Sequence, residues 1–193
     1  MKILLLCLNA FETMEVSPFV DVMGWARDDF DCDISVTTCG FHKEAVSTFG
    51  IKVELDITMD EVRMDAYDAL VIPGGFQEYG FYDEAFDERT LSLIRSFHTA
   101  GRMVVSVCVA AFALAESGIL KGRKATTYHL RDSFKQRELA KYEGITVVNE
   151  PIVVDGNIIT SSCPQTAPYV AFALLEYLTD KKTAHAVQRD MGY

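Results

Sequence analysis

The chain has 193 residues, 49% of them hydrophobic, which is enough for one well-buried domain or at most two small ones. Its net charge of −10 argues against nucleic acid or an anionic membrane as the main partner, because both require a basic face. The apolar opening MKILLLCL is too short to cross a membrane and lacks the small-residue cleavage site of a signal peptide, so a cytoplasmic location is expected. No linker, low-complexity run or internal repeat divides the sequence, and one domain over residues 1–193 is expected.

In chain order, KILLLCL (2–8) reads as a fully buried strand, and residues 12–26 as a helix complicated by Pro18. DISVTTC (33–39) alternates like a strand, and IKVEL (51–55) forms another short one. DALVIPGG (68–75) is a buried strand stopped by Pro-Gly-Gly. A helix is expected over 84–100, with Leu91, Ile94 and Phe97 on one face. MVVSV (103–107) is a strand that runs into Cys108 and at once into an Ala- and Leu-rich helix. ITVVN (145–149) and PIVVDGNIITS (151–161) read as a pair of strands, the second with an Asp-Gly-Asn turn at 155–157. Helices over 166–178 and 181–189 close the chain. Apolar strands alternating with helices define an α/β fold, a flavodoxin-like sandwich whose mainly parallel central sheet is covered by helices on both faces.

Five scattered cysteines, with no CxxC pair and no Cys/His cluster of zinc spacing, indicate neither a disulfide framework nor a metal site. Cys7 and Cys39 read as inert packing, and Cys163 lies before Pro164 in a loop that borders the carboxyl edge of the sheet. Cys108 differs because it ends a strand at the edge where open α/β sheets bind ligands. The helix after it aims free N–H groups and a partial positive charge at the sulfur, which favours thiolate and is expected to lower its pKa. The glycines ending the neighbouring strand, Gly74 and Gly75, allow close backbone approach, and their N–H groups can hold an oxyanion. The weaker features carry less. IPGG is neither a P-loop nor a dinucleotide fingerprint, so no cofactor is implied. RDSFKQRELAKYEG (131–144) reads as a charged, solvated helix face, and FQEYGFYDEAF (76–86) as a lip over the cleft, a dimer contact or ordinary packing.

PGG (73–75), SVCVAAFALAESGILKGRKATTYH (106–129) and FETMEVSPFVDV (11–22) together resemble the ThiJ/PfpI superfamily, which shares the class I glutamine amidotransferase-like fold. The resemblance runs nearly end to end. It implies that Cys108 is the elbow cysteine, that Glu15 is the early-helix acid beside it, and that Gly74 and Gly75 flank the thiol. It also implies a cytosolic homodimer. A protonated Glu15 would donate a hydrogen bond to the thiolate, whereas an ionised one would repel it; by itself Glu15 reads as a solvated residue like Glu12.

The pattern breaks at the histidine. Some relatives place one directly after the cysteine, where this chain has Val109, so a Cys-His-acid peptidase is not expected. Others place it after a Thr-Thr pair, where this chain has Tyr128 and then His129. Either could reach the thiol. His42, His98 and His185 read as surface or structural. The expected function is a cysteine-dependent enzyme acting on a small electrophile, such as a glyoxal or an isonitrile. Cys108 attacks, Glu15 manages the proton, and the Gly75 and Val109 amides stabilise the anion. The alternative is a non-enzymatic, redox-responsive stress protein whose Cys108 is oxidised to sulfinate. A transcription regulator or a glutamine amidotransferase is not expected, since neither the added domain nor a late His-acid pair is present.

Overall fold

The computed structural model describes residues 1–193. A seven-stranded sheet forms the centre, with β1 (Lys2–Leu6), β2 (Ser35–Gly40), β5 (Ile57–Thr58), β6 (Ala69–Ile72), β7 (Met103–Ser106), β10 (Ile152–Asp155) and β11 (Ile158–Ser161). Its order is β10-β11-β7-β6-β1-β2-β5, and every neighbouring pair is parallel except β10 with β11. The inner strands β1, β6 and β7 are near-continuous apolar runs because helices cover both faces of the sheet and leave neither to water. The helices are α1 (Thr13–Asp29), α2 (Phe81–Ala85), α3 (Glu88–Thr99), α4 (Ala111–Glu116), α5 (Phe134–Leu139), α6 (Ala167–Leu178) and α7 (Lys181–Asp190). The first helix packs on α6 and α7, while α3 packs on β7 and α4.

Several elements differ from their sequence expectation, each for a local reason. Residues 84–100 do not make one helix. The Asp87 side chain accepts the Arg89 N–H and starts α3 afresh, separating it from α2. Within α3 the buried stripe is Thr90, Ile94 and Phe97, and Leu91 is only half-buried. Phe97 is wholly buried, so Phe97→Ala is expected to cost about 3–5 kcal/mol, read as a lower midpoint in urea. The IKVEL strand is β4 (Lys52–Glu54), which leaves the main sheet to pair antiparallel with β3 (Glu44–Val46). ITVVN forms only β9 (Thr146–Val147), which pairs with β8 (Lys124–Ala125) rather than with its neighbour in sequence. PIVVDGNIITS is itself the hairpin, β10 and β11, turning at Gly156-Asn157.

Pro18 lies inside α1 without ending it. The residues α1 buries are Glu15, Phe19, Val22, Met23 and Ala26, a stripe at helical spacing. One member of that stripe is an acid.

Candidate active site

Because β1, β6, β7 and β11 are parallel, their carboxyl ends share one edge. Ile72 lies beside Ser106, and Ser106 beside Thr160. The segments that leave these strands, Pro73 to Gly75, Val107 to Cys108 and Ser162 to Pro164, therefore emerge next to one another. The strand order also reverses here, since β1 is followed by β2 on one side and the later β6 and β7 build on the other. Such a switch point opens a crevice above the sheet.

Cys108 occupies a sharp turn between β7 and α4 with φ of 54°. A side chain in this left-handed region costs on the order of 1–3 kcal/mol, and here it lifts the thiol out of the strand toward the crevice. The turn is braced by Thr127, whose hydroxyl donates to the Cys108 carbonyl at 2.8 Å. Cys108 is 8% exposed and opens into a cavity of about 280 Å³.

Glu15 is wholly buried and lines the same cavity as the thiol, close enough for each group to shift the titration of the other. Its Oε2 accepts the Gly74 N–H at 2.6 Å, and its Oε1 finds no donor. A buried ionised carboxylate without that donor is costlier than a neutral carboxyl in the same place, because the charge is the larger desolvation penalty. Burial accordingly pushes the Glu15 carboxyl up to about 8, against the opposing pull of the Gly74 N–H. Burial thus favours the neutral form of the acid.

The Cys108 thiol departs from expectation. Burial pushes it up, a negative charge on Glu15 would push it further, and only the Val109 N–H pulls it down. Desolvation outweighs the single N–H that favours the thiolate. Two negative charges are not held together at this site. Thiolate character thus requires that Glu15 keep its proton.

Gly74 and Gly75 are demanded by close approach. A Cβ on Gly74 would lie 2.9 Å from Glu15 Oε2 and 2.9 Å from the Val107 carbonyl. On Gly75 it would lie 2.1 Å from the Ala10 carbonyl, a backbone atom that cannot move aside alone. Gly75→Ala is expected to lower the melting temperature by several degrees at least, because Phe11 bridges to Gly75 at that point.

The two aromatic candidates separate. Tyr128 lines the cavity, while the His129 ring lies against Cys163, with Nδ1 3.6 Å from its sulfur. The one-residue offset thus directs the histidine to the second thiol, which is 3% exposed. Cys7 and Cys39 are buried, and burial pushes both thiols up to about 12. Glu12 is not solvated; it is 9% exposed and borders the cavity. Phe76, Gln77 and Glu78 line the cavity as part of a lip.

Sequence reasoning missed Arg131 and Lys135, which also line the cavity. The segment 131–144 is not a solvated helix face. Only Phe134–Leu139 is helical, and Gln136 and Leu139 are buried. The sequence carried no periodic signal for them, because Arg131 precedes the helix in a left-handed turn and no helical spacing relates it to Lys135.

An α/β sheet that presents a strained elbow cysteine beside a buried acid defines the class of cysteine-elbow proteins with a cavity at the carboxyl edge. The chain belongs to the DJ-1/PfpI family, whose model matches residues 1–177. It is similar to Deglycase PfpI of Pyrococcus furiosus, 32% identical over 167 residues, which are 85% of this chain and 91% of that protein. It is also similar to Protein dj-1beta of Drosophila melanogaster, 30% identical over 162 residues and 82% of each chain. The crystal structure of Drosophila DJ-1beta superposes with a TM-score of 0.85 at 25% identity, covering 98% of this chain and 96% of that one. No helix of the protein is long and apolar enough to cross a membrane.

Proposed function

We propose that the protein is a deglycase-like enzyme that attacks small α-oxoaldehydes, or their adducts with amines, through Cys108. The observation that carries this reading is the wholly buried Glu15 carboxyl beside the elbow thiol, at the floor of a cavity sized for a small molecule. The name shared by several archaeal relatives, deglycase, supports it.

The chemistry follows from the groups present. The Cys108 sulfur adds to the aldehyde carbon, and the carbonyl π electrons move to oxygen. The N–H groups of Gly75 and Val109 stabilise that oxygen, and Glu15 supplies its proton, giving a hemithioacetal. The Glu15 carboxylate then removes the C–H proton of the same carbon and returns it to the neighbouring carbon, while the hemithioacetal O–H proton passes to the neighbouring oxygen. The product is a 2-hydroxy thioester. Water hydrolyses it to a 2-hydroxy acid and restores the thiol. The net reaction is hydration with internal redox, so no cofactor is required. Tyr128, at the cavity wall, orients the carbonyl.

A second reading is favoured by one observation, that His129 is engaged with Cys163 and leaves Cys108 with a single proton carrier. In it, a peroxide oxidises Cys108 to sulfinate, and the Glu15 carboxyl donates to a sulfinate oxygen. The test is incubation of the protein with methylglyoxal, following 2-hydroxy acid by chromatography and Cys108 adducts by peptide mass. Catalytic lactate formation supports the enzyme. Sulfinate formation under peroxide with no turnover supports the second reading.

A further inference from the structure

The cavity above Cys108 contains two cations that the reaction just described does not use. The protein as a whole carries a net charge of −10, and the cavity places its two cations together on one side, away from the acids Glu12 and Glu15 at the thiol. Arg131 stands on a turn in which three successive residues, Arg131, Asp132 and Ser133, have φ of 55°, 60° and 55°. None of them is glycine, so this left-handed turn is held against its own strain. It presents the Arg131 side chain at the cavity, and that guanidinium makes no hydrogen bond or ion pair within the protein.

Lys135 begins the next turn. Its ammonium lies 5.5 Å from the ring centres of both Tyr82 and Phe112, and 5.7 Å from that of Phe134. Its polar partners are the Glu138 carboxylate, in an ion pair at 3.3 Å, and the neutral amide oxygen of Gln77 on the facing lip at 3.4 Å. A half-satisfied ammonium on an aromatic floor, 20% exposed, gains when an anion replaces Gln77.

The acids around the cavity are arranged differently. Glu12 and Glu15 belong to the start of α1, beside the thiol, and Glu78 is on the exposed lip. A ligand with one anionic end is therefore pushed from the thiol by Glu12 and drawn toward the 131–135 segment, which leaves its uncharged carbonyl end at Cys108.

We infer that the cavity selects α-oxoaldehydes that carry a carboxylate, with Arg131 and Lys135 binding that group and orienting the carbonyl toward Cys108. The inference rests on the reading of Cys108 as a nucleophile and adds the substrate class. The two cations are specificity-determining residues; the bond-making groups are those already named.

The experiment has two arms. In the first, Cys108 of the native protein is alkylated with iodoacetate or iodoacetamide and read by peptide mass. Both reagents lose iodide to the attacking sulfur, and they differ by one negative charge. The iodoacetate-to-iodoacetamide rate ratio is expected to be higher for the native protein than for the unfolded chain. It is expected to fall about 10-fold in the double variant Arg131→Asn, Lys135→Gln. Asparagine accepts the left-handed turn and glutamine can still reach Gln77, so the variant is built to fold. An equal ratio in native and unfolded protein, or one unmoved by the double variant, overturns the inference.

In the second arm, kcat/KM is compared for 4,5-dioxopentanoate and the neutral 2-oxopentanal. Preference for the carboxylate, shrinking in the double variant through KM more than kcat, supports the inference. Turnover of both without preference overturns it and leaves the proposed function standing. Turnover of neither overturns the proposed function, and the alkylation ratio alone then decides whether the cavity holds an anion. A native thiol that neither alkylates nor turns over overturns both.

Discussion

Cys108→Ser is expected to lower the turnover of methylglyoxal by about 10³-fold or more, with the fold and melting temperature nearly intact. Serine preserves the size of the side chain at the elbow and keeps a polar atom facing Glu15 across the cavity floor. What it loses is nucleophilicity. No histidine stands beside residue 108 to activate a hydroxyl, because the His129 ring lies against Cys163. Cys163→Ser is the matched control and is expected to cost less than about 10-fold, since that sulfur is 3% exposed and does not line the cavity. Lactate formation measured on both proteins decides the matter. A Cys108→Ser enzyme with a tenth of the original activity would mean that the chemistry belongs elsewhere.

Glu15→Gln is expected to change two properties together. The first is stability as a function of pH. Burial raises the folded-state value of Glu15 to about 8, against 4.5 for an unperturbed side chain. The folded protein thus binds this proton more tightly than the unfolded chain does. Its contribution is complete below pH 4.5 and declines as pH rises toward 8, at a rate of up to about 1.4 kcal/mol per pH unit. Above that range the decline stops. Glutamine carries no ionisable proton, and its amide oxygen can still accept the Gly74 N–H. Urea midpoints of the variant should therefore be flatter than those of the parent between pH 5 and 8, with the variant gaining relative stability at the alkaline end. Parallel curves for the two proteins would mean that Glu15 is ionised in the fold.

The second property is activity. Loss of the proton carrier is expected to reduce kcat by about 10²- to 10⁴-fold. Cys108 alkylation should survive in the same variant, because the amide can still donate toward sulfur. A variant that keeps both its pH-dependent stability and its activity would leave Glu15 as packing alone. The two readouts are separable, since a purely structural role alters the midpoints without altering kcat at a pH where both proteins are folded.

The local content of the chain was enough for much of this site. The buried strands β1, β6 and β7 are legible because a parallel sheet covered on both faces leaves no polar alternation to confuse them. Cys108 is legible because a strand that turns into a helix without a linker places its junction residue at the ligand edge. The resemblance singled out Glu15, but a physical signal was also present. Glu15, Phe19, Val22 and Ala26 fall on one helical stripe, so an acid there enters the core with its apolar neighbours.

Other features depend on partners distant in sequence, and no local pattern contains them. The strand Thr146–Val147 pairs with Lys124–Ala125 because the chain brings them together, not because either segment announces the other. The one-residue offset between Tyr128 and His129 could be seen in the sequence, but which ring faced the thiol was decided by the position of Cys163 after β11. The thiol and acid values were decided by burial, which reversed the expected pull of a helix terminus on Cys108. Arg131 and Lys135 read as surface charge until the turn at 131–133 set them over the cavity. The amino-acid sequence by itself determined the α/β class and the elbow, because each follows from periodicity or junction chemistry within a short segment, while Glu15 was reached only through the family resemblance. The protonation of the acid–thiol pair, the partner of the histidine and the charge of the cavity came only from tertiary structure, because each depends on desolvation and distance between segments far apart in the chain.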